Sequence, residues 1–333
     1  MLMEKRYKVA VLGSGSWATA LVKIMLNNLE KIKWFIRNAE TIDFIKKHHH
    51  NPSYLSSVEI IPENIDFYHN IGEIIHDSDI LIFAIPSPYL REFLEGGNFS
   101  LENKIIVSAI KGIIPVLNLT VAEFFNQVYK VPCKNIGVIS GPCHAEEIAL
   151  ERLSYLTVAS TTKIRAEMIA DILRCHYVKV KSSRDVYGIE YAAVLKNIMA
   201  IAAGISHGLG YGDNFLAVLI SNASQEIKRF LDKTYKSKRK MNSSAYLGDL
   251  LVTAYSQFSR NRTFGTMIGK GYSARSAQLE MNMVVEGFHA IDCIREINKS
   301  YHVKMPIFDT VYHIIHDKIS PALEIKLLSE NLR

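Results

Sequence analysis

The residue most able to do chemistry is a lysine in the middle of an almost wholly apolar segment. Lys196, followed by Asn197, interrupts the run from Glu190 to Gly204, where alanine, isoleucine, leucine, valine and methionine dominate. A charged amine in such surroundings is costly unless something nearby needs it. Burial moves a lysine's pKa down toward the pH range where a general acid or base works best. The alternative is a lysine that snorkels along the helix surface.

Other positions could work with it. Lys111 follows an apolar strand in Ser108-Ala109-Ile110-Lys111-Gly112. Ligands bind at the carboxyl ends of strands in open α/β sheets, so its ammonium could hold a substrate oxygen or a cofactor. The alternative is a solvent-facing lysine. Asp249 starts a helical stretch, which it could cap, or it could pair with Lys196. Ser259, Arg260, Asn261 and Arg262 come after an apolar helix. An arginine beside an amide suits bidentate phosphate recognition, although a helix C-terminal arginine meeting the dipole reads the same way. Ser140-Gly141-Pro142-Cys143-His144-Ala145 follows another strand, and Gly and Pro fix a sharp turn that can aim backbone N–H groups at a ligand. Cys143 has no base near it in sequence and reads as a small buried residue rather than a nucleophile. Met283 to Gly287 offers one carboxylate, Glu286, beside a glycine.

These residues need a frame. Short apolar strands are expected at 7–12, 33–36, 79–85, 104–110, 135–140 and 156–160, alternating with helical stretches such as 17–29. That alternation implies a parallel sheet with crossover helices. Strand signals stop near Val186. Helical patterns follow at 215–231, 245–257, 280–297 and 308–316. The expected division is 1–187 and 188–333. Between the first strand and first helix stands Gly13-Ser14-Gly15-Ser16-Trp17-Ala18, the G-x-G-x-x-[GA] pattern in its required context. Gly13 allows the turn, Gly15 lets a pyrophosphate approach, and Ala18 permits close packing. The pyrophosphate would rest on the helix N-terminus. The second strand ends at Arg37 and Asn38 with no acidic residue to clasp a ribose 2′-hydroxyl. Arg37 could stack on adenine, meet a 2′-phosphate, or be an ordinary surface arginine.

Composition sets the outer bounds. A chain of 333 residues, 48% apolar and 22% charged, can bury a sizeable core and is not disordered. The formal net charge of +6 suits an anionic ligand. The basic run Lys236 to Lys240 lacks interleaved aromatics and reads as a solvated loop, so no nucleic-acid partner is expected. Cys133, Cys143, Cys175 and Cys293 are scattered with no Cys-x-x-Cys pair, which suggests neither a metal site nor a disulfide framework and fits a reducing cytosol. His48, His49 and His50 read as a surface loop. No signal-peptide architecture and no membrane span are expected.

Taken together, the segments resemble NAD(P)-dependent glycerol-3-phosphate dehydrogenase of the bacterial type. The resemblance rests on residues 13–20, Ile85-Pro86-Ser87, Lys111-Gly112, Ser140-Gly141-Pro142 with Ala145-Glu146, and Leu195-Lys196-Asn197. It continues through Gly210 to Asn214, Gly248-Asp249-Leu250, Arg260-Asn261 with Gly265, and Glu286-Gly287. It implies an α/β N-terminal Rossmann-like domain and an all-α C-terminal substrate-binding domain. It implies that Gly13, Gly15, Ser16, Trp17, Arg37, Lys111, Ala145, Arg260, Val284 and Glu286 contact NAD(P)H. Around dihydroxyacetone phosphate or sn-glycerol 3-phosphate it implies Lys111, Gly141, Cys143, Lys196, Asp249, Ser259, Arg260 and Asn261. Lys196 would be the proton donor and acceptor, helped by Lys111 and Asp249. A cytoplasmic homodimer feeding phospholipid synthesis is also implied. The chain departs from the family pattern at Phe215-Leu216, where Thr-Lys is typical, and at Cys143, His144 and Asn38. Two other readings are a dehydrogenase of hydroxy or sugar acids and a nucleotide sensor without catalysis.

Overall fold

The structure, a computed structural model, describes residues 7–281 and 283–332. The chain forms two compact units. The first runs to Ile110 and resumes over Val121–Val186; the second takes Lys111–Thr120 and everything from Tyr187 onward. The contiguous division expected at 187 therefore misses a ten-residue excursion, Lys111–Thr120, that the first unit lends to the second.

The first unit follows the chain as β1 (Val9–Leu12), α1 (Ser16–Met25), β2 (Ile32–Phe35), α2 (Ala39–His48), β3 (Ile65–Tyr68), α3 (Ile71–Asp77), β4 (Ile80–Phe83), α4 (Ser87–Leu94) and β5 (Ile105–Ser108). A two-stranded hairpin, β6 (Ile113–Ile114) and β7 (Leu119–Thr120), lies within the excursion. Then come α5 (Val121–Gln127), β8 (Ile136–Ser140), α6 (Ala145–Ala149), β9 (Ser154–Ser160), α7 (Lys163–Leu173) and β10 (Val178–Ser183). The sheet has eight strands in the order β10-β9-β8-β5-β4-β1-β2-β3. All four residues of β1 are buried, as are those of β4 and β5, because helices cover both faces of the sheet. From β1 the chain moves to β2 on one side and to β4 on the other. The carboxyl end of β1 is thus the point where strand order reverses.

Two features differ from the sequence expectation. β9 pairs antiparallel with β8, and β10 follows β9, so two strands run against the other six. The link between β8 and β9 holds only the five-residue α6, too short to serve as a full crossover helix. β3 and β10 were also not expected. In β10, Val178 and Val180 are buried while Lys179 and Lys181 face out. Alternation of that kind marks an edge strand, and its lysines discourage further pairing. Of the histidine triplet, His48 ends α2, His49 takes the left-handed conformation that stops the helix, and His50 lies beyond it with its Nδ1 2.8 Å from the His48 carbonyl oxygen.

The second unit is helical apart from the hairpin. It contains α8 (Val186–Gly208), α9 (Asp213–Thr234), α10 (Asp249–Tyr255) preceded by a π turn at Ser244–Gly248, and α11 (Arg260–Gly269). It closes with α12 (Ala274–Glu280), α13 (Glu286–Tyr301), α14 (Pro306–Ile315) and α15 (Pro321–Ser329). The helix expected over 280–297 begins at Glu286; Asn282, within that expected span, lies outside the described residues. By length and composition α8 could cross a membrane, yet its most apolar 18-residue window is wholly buried inside the protein. It is the core helix of this unit.

Glycines let α8 meet its neighbour backbone to backbone. A Cβ on Gly204 would fall 2.1 Å from the Arg262 carbonyl oxygen, and one on Gly265 would fall 2.1 Å from that of Ile201. One turn further along, a Cβ on Gly208 or Gly269 would fall 2.4 Å from the Thr266 carbonyl oxygen or 2.3 Å from that of Ile205. Both helices thus carry the G-x-x-x-G spacing that permits this approach, here in a buried core rather than in lipid.

Candidate active site

In the second unit, α8 presents Lys196 and Asn197 on consecutive positions, and both are buried. The π turn ends at Gly248, so Asp249 opens α10 inside the core with its side chain only 1% exposed. Lys196 Nζ donates to Asp249 Oδ1 and, at 2.9 Å, to Thr253 Oγ1. Thr253 lies one turn beyond Asp249, and its hydroxyl donates back to the Asp249 carbonyl at 2.6 Å. Lys111, at the start of the excursion, reaches the same carboxylate, with Nζ 3.3 and 3.2 Å from its two oxygens. Two ammonium groups therefore converge on one buried carboxylate. Burial opposes ionisation of Asp249, but the charges of Lys111 and Lys196 and their hydrogen bonds outweigh it and hold the carboxyl below its usual range.

An amide relay extends this cluster. Asn197 Nδ2 donates to the Lys111 carbonyl at 2.8 Å, and Asn261 Nδ2 donates to Asn197 Oδ1 at 3.0 Å. Asn261 Oδ1 then accepts the Gly287 N–H, 2.9 Å away, in the first turn of α13. A Cβ on Gly287 would meet Asn261 Oδ1 and the Asn197 carbonyl oxygen at 2.8 Å, so the relay needs glycine there. Lys111 is thus held at its backbone by Asn197 and at its tip by Asp249.

Both open alternatives for Asp249 and Lys196 resolve toward pairing. Lys196 does not snorkel, and Lys111, with 19% of its side chain exposed, is not a free surface lysine. Ser259, Arg260 and Asn261 follow α10, as expected, but they open α11 rather than closing a helix. Ser259 caps α11 by accepting the Arg262 N–H at 3.3 Å. Arg260 therefore sits in the first turn, where the dipole favours an anion. Its Nη1 donates to the Val284 carbonyl at 3.2 Å, bringing it to the segment just before Glu286. Thr253 received no role from the sequence, although its spacing of four residues from Asp249 on a helix was a readable signal. Asn197 was visible only as a neighbour of Lys196.

The first unit offers a different kind of site. Gly13 has φ +131°, and a Cβ there would fall 2.5 Å from the Ala84 carbonyl oxygen, so both backbone shape and space demand glycine. Its N–H donates to the Phe35 carbonyl, and its own carbonyl accepts Trp34 Nε1 at 2.7 Å. Gly15 is the N-cap of α1, supplies no side-chain cap, and would meet nothing within 4 Å if it carried a Cβ. By contrast, Asn38 caps α2 with its own side chain. The indole N–H of Trp17 is buried without a protein partner among the described residues. An uncapped helix N-terminus, clear space before it and an orphaned donor fit a dinucleotide pyrophosphate. Arg37 is exposed at the end of β2. Gly141 has φ +111° and its added Cβ would meet the Tyr155 carbonyl oxygen at 2.7 Å, which makes the turn after β8 sharp. Cys143 Sγ donates to the Gly141 carbonyl at 3.1 Å, and Ala145 begins α6.

Comparison with known proteins decides the family. The model for the NAD-dependent glycerol-3-phosphate dehydrogenase N-terminus matches residues 8–166, and that for its C-terminus matches 185–326. The chain is 35% identical over 323 residues to glycerol-3-phosphate dehydrogenase [NAD(P)+] of Bacillus subtilis (strain 168), spanning 95% of this chain and 93% of that one. The chain belongs to the NAD-dependent glycerol-3-phosphate dehydrogenase family. A relative from Agathobacter rectalis with the same printed name is 34% identical, over 95% of this chain and 94% of its own length. The crystal structure of glycerol-3-phosphate dehydrogenase from Coxiella burnetii superposes with a TM-score of 0.88 at 26% identity, covering 97% of this chain and 99% of that chain. A mostly parallel sheet domain followed by a helical one is thus the architecture of the family.

Proposed function

We propose that this protein catalyses the reversible NAD(P)H-dependent reduction of dihydroxyacetone phosphate to sn-glycerol 3-phosphate. The observation that carries the mechanism is the buried convergence of Lys196 and Lys111 on Asp249. When bound, a reduced nicotinamide would supply the hydride that the ketone carbon takes up. Lys196 gives its proton to the developing alkoxide and takes the hydroxyl proton in the reverse direction. Lys111 polarises the ketone oxygen, and Asp249 holds both ammonium groups in place. Ser259, Arg260 and Asn261, at the N-terminus of α11, receive the phosphate, with Gly141 and Cys143 also assigned to the triose phosphate. Gly13, Gly15, Ser16, Trp17, Arg37 and Ala145 are the cofactor contacts in the first unit. Lys111, Arg260, Val284 and Glu286 are those in the second.

On this reading the first unit is the dinucleotide-binding domain and the second the substrate-binding one. We further assign the protein to the cytoplasm, to a homodimer, and to the supply of sn-glycerol 3-phosphate for phospholipid synthesis. The relatives' printed activity supports the reaction. The test follows absorbance at 340 nm with dihydroxyacetone phosphate, using NADH and NADPH in separate assays. Oxidation of either cofactor is expected, and the ratio of the two rates reports what Arg37 recognises. Folded protein that binds nucleotide but oxidises neither would return the choice to a hydroxy-acid dehydrogenase or a sensor.

A further inference from the structure

The basic run after α9 is a loop whose lysines are exposed, as composition suggests, but one of its residues ties it to the helix. Its one guanidinium, Arg239, is turned inward with 2% of its side chain exposed. It donates to the Leu231 carbonyl at 3.2 Å and to the Tyr235 carbonyl, closing the C-terminus of α9, and lies 3.9 Å from Asp232. This clamp folds the loop against the helix and leaves Lys236, Lys238 and Lys240 exposed. A second segment adds to the same surface. Glu226 and Arg229, on successive turns of α9, both grip the chain around the start of α14. Glu226 accepts the Ile307 and Phe308 N–H groups, and Arg229 Nε donates to the Lys304 carbonyl at 3.3 Å. Exposed Arg229 and Lys304 therefore lie close together, and exposed Lys233 lies one turn beyond Arg229 on α9, just before the loop. Asp232 is engaged by Lys228 and Arg239, so it does not neutralise them. Among the described residues, Lys233, Lys236, Lys238, Lys240 and Lys304 make no ion pair.

We propose that this lysine face docks the protein on a bilayer bearing anionic headgroups. Clusters of four to eight cations near a surface give that kind of attraction, which is diffuse and needs no fixed geometry. Lysine point charges on long stems suit it better than they suit base edges, which arginine forks read. The aromatic nearest the run, Tyr235, is stacked on Tyr187 with ring centroids 4.7 Å apart and is not offered for base stacking. The residues are remote in role from Lys196, Lys111 and Asp249, so the assignment stands or falls separately from the proposed reaction.

The test uses the full-length protein and sedimenting vesicles of phosphatidylcholine alone or mixed with phosphatidylglycerol, at low and physiological salt. Binding to the anionic vesicles only, weakening with salt, is expected. The triple variant Lys236→Gln, Lys238→Gln, Lys240→Gln should lose about a hundredfold in vesicle affinity. Its thermal stability and its activity without vesicles should be unchanged, and the corresponding triple arginine variant should bind like the parent. Equal binding to neutral vesicles, or undiminished binding by the glutamine variant, overturns the proposal. So does tighter retention on duplex DNA than on anionic vesicles, which would assign the face to nucleic acid.

Discussion

The two units build their candidate sites from opposite materials. In the first, the site is main chain: an uncapped helix start, a left-handed glycine and cleared space. In the second, it is buried charge, two lysines on one aspartate behind a relay of amides. A backbone site asks only that certain side chains be missing. A buried-charge site asks that every partner be present, because removing one leaves another uncompensated in a low dielectric. The first should therefore fail by losing affinity, and the second by losing chemistry or stability.

Lys196→Ala gives the largest effect. Turnover should fall by about 10²–10⁴-fold or more, the range for a lost general acid, while nucleotide binding to the first unit persists. Loss of nucleotide affinity in a folded variant would contradict the separation of roles. Asp249→Ala leaves the buried Lys196 ammonium and the partly exposed Lys111 ammonium without their carboxylate and should cost about 3–5 kcal/mol in denaturant unfolding. A milder cost would mean that the lysines find other partners.

Glu226 extends the contrast to pH. Burial pushes its carboxyl up to about 7, against the N–H groups of Ile307 and Phe308 and the charge of Arg229, which lower it. The folded state thus holds this proton where the unfolded chain releases it. The resulting stabilisation is complete below the ordinary value of 4.5 and is lost as pH rises through about 7. The span is on the order of 3 kcal/mol. Unfolding of the second unit followed from pH 5 to 8 should show that decline, and Glu226→Gln should flatten it.

The glycines separate the two strategies most cleanly. Gly265→Ala forces a Cβ against the Ile201 carbonyl oxygen and should cost about 1–3 kcal/mol, read as a lower Tm. Gly15→Ala meets nothing, so Tm should not move while nucleotide affinity drops about tenfold by titration, because the methyl group occupies the path of the pyrophosphate. If both variants changed Tm alike, the space before α1 would be structural rather than kept for a ligand.

The sequence showed the first site better than the second for the same reason. Gly13, Gly15 and Ala18 lie within six residues between a strand and a helix, so local pattern carries the meaning. Lys196 was also legible, because a charge in an apolar helix is anomalous by itself. Its partnership with Lys111 came only from the family resemblance, since it runs through Asp249, 138 residues from Lys111, and no local pattern carries it. Arg260 could be read as closing a helix because only four residues, 256–259, separate the end of α10 from the start of α11. β10 escaped notice because an edge strand alternates where the central strands are apolar throughout. Arg239 looked like its lysine neighbours, and only the folded chain turns it inward.

The excursion at 111–120 bears on how such a protein can be taken apart. Because Lys111 sits in the first half of the gene but works in the second half of the fold, no single cut yields two self-sufficient pieces. A fragment from residue 188 onward would carry Lys196 and Asp249 yet lack the other lysine and the backbone carbonyl that Asn197 holds. Swapping C-terminal halves between relatives would therefore leave the recipient's own Lys111 segment facing a foreign Asp249 and Asn197, and these chimaeras should tolerate exchange only when the ten residues travel with them.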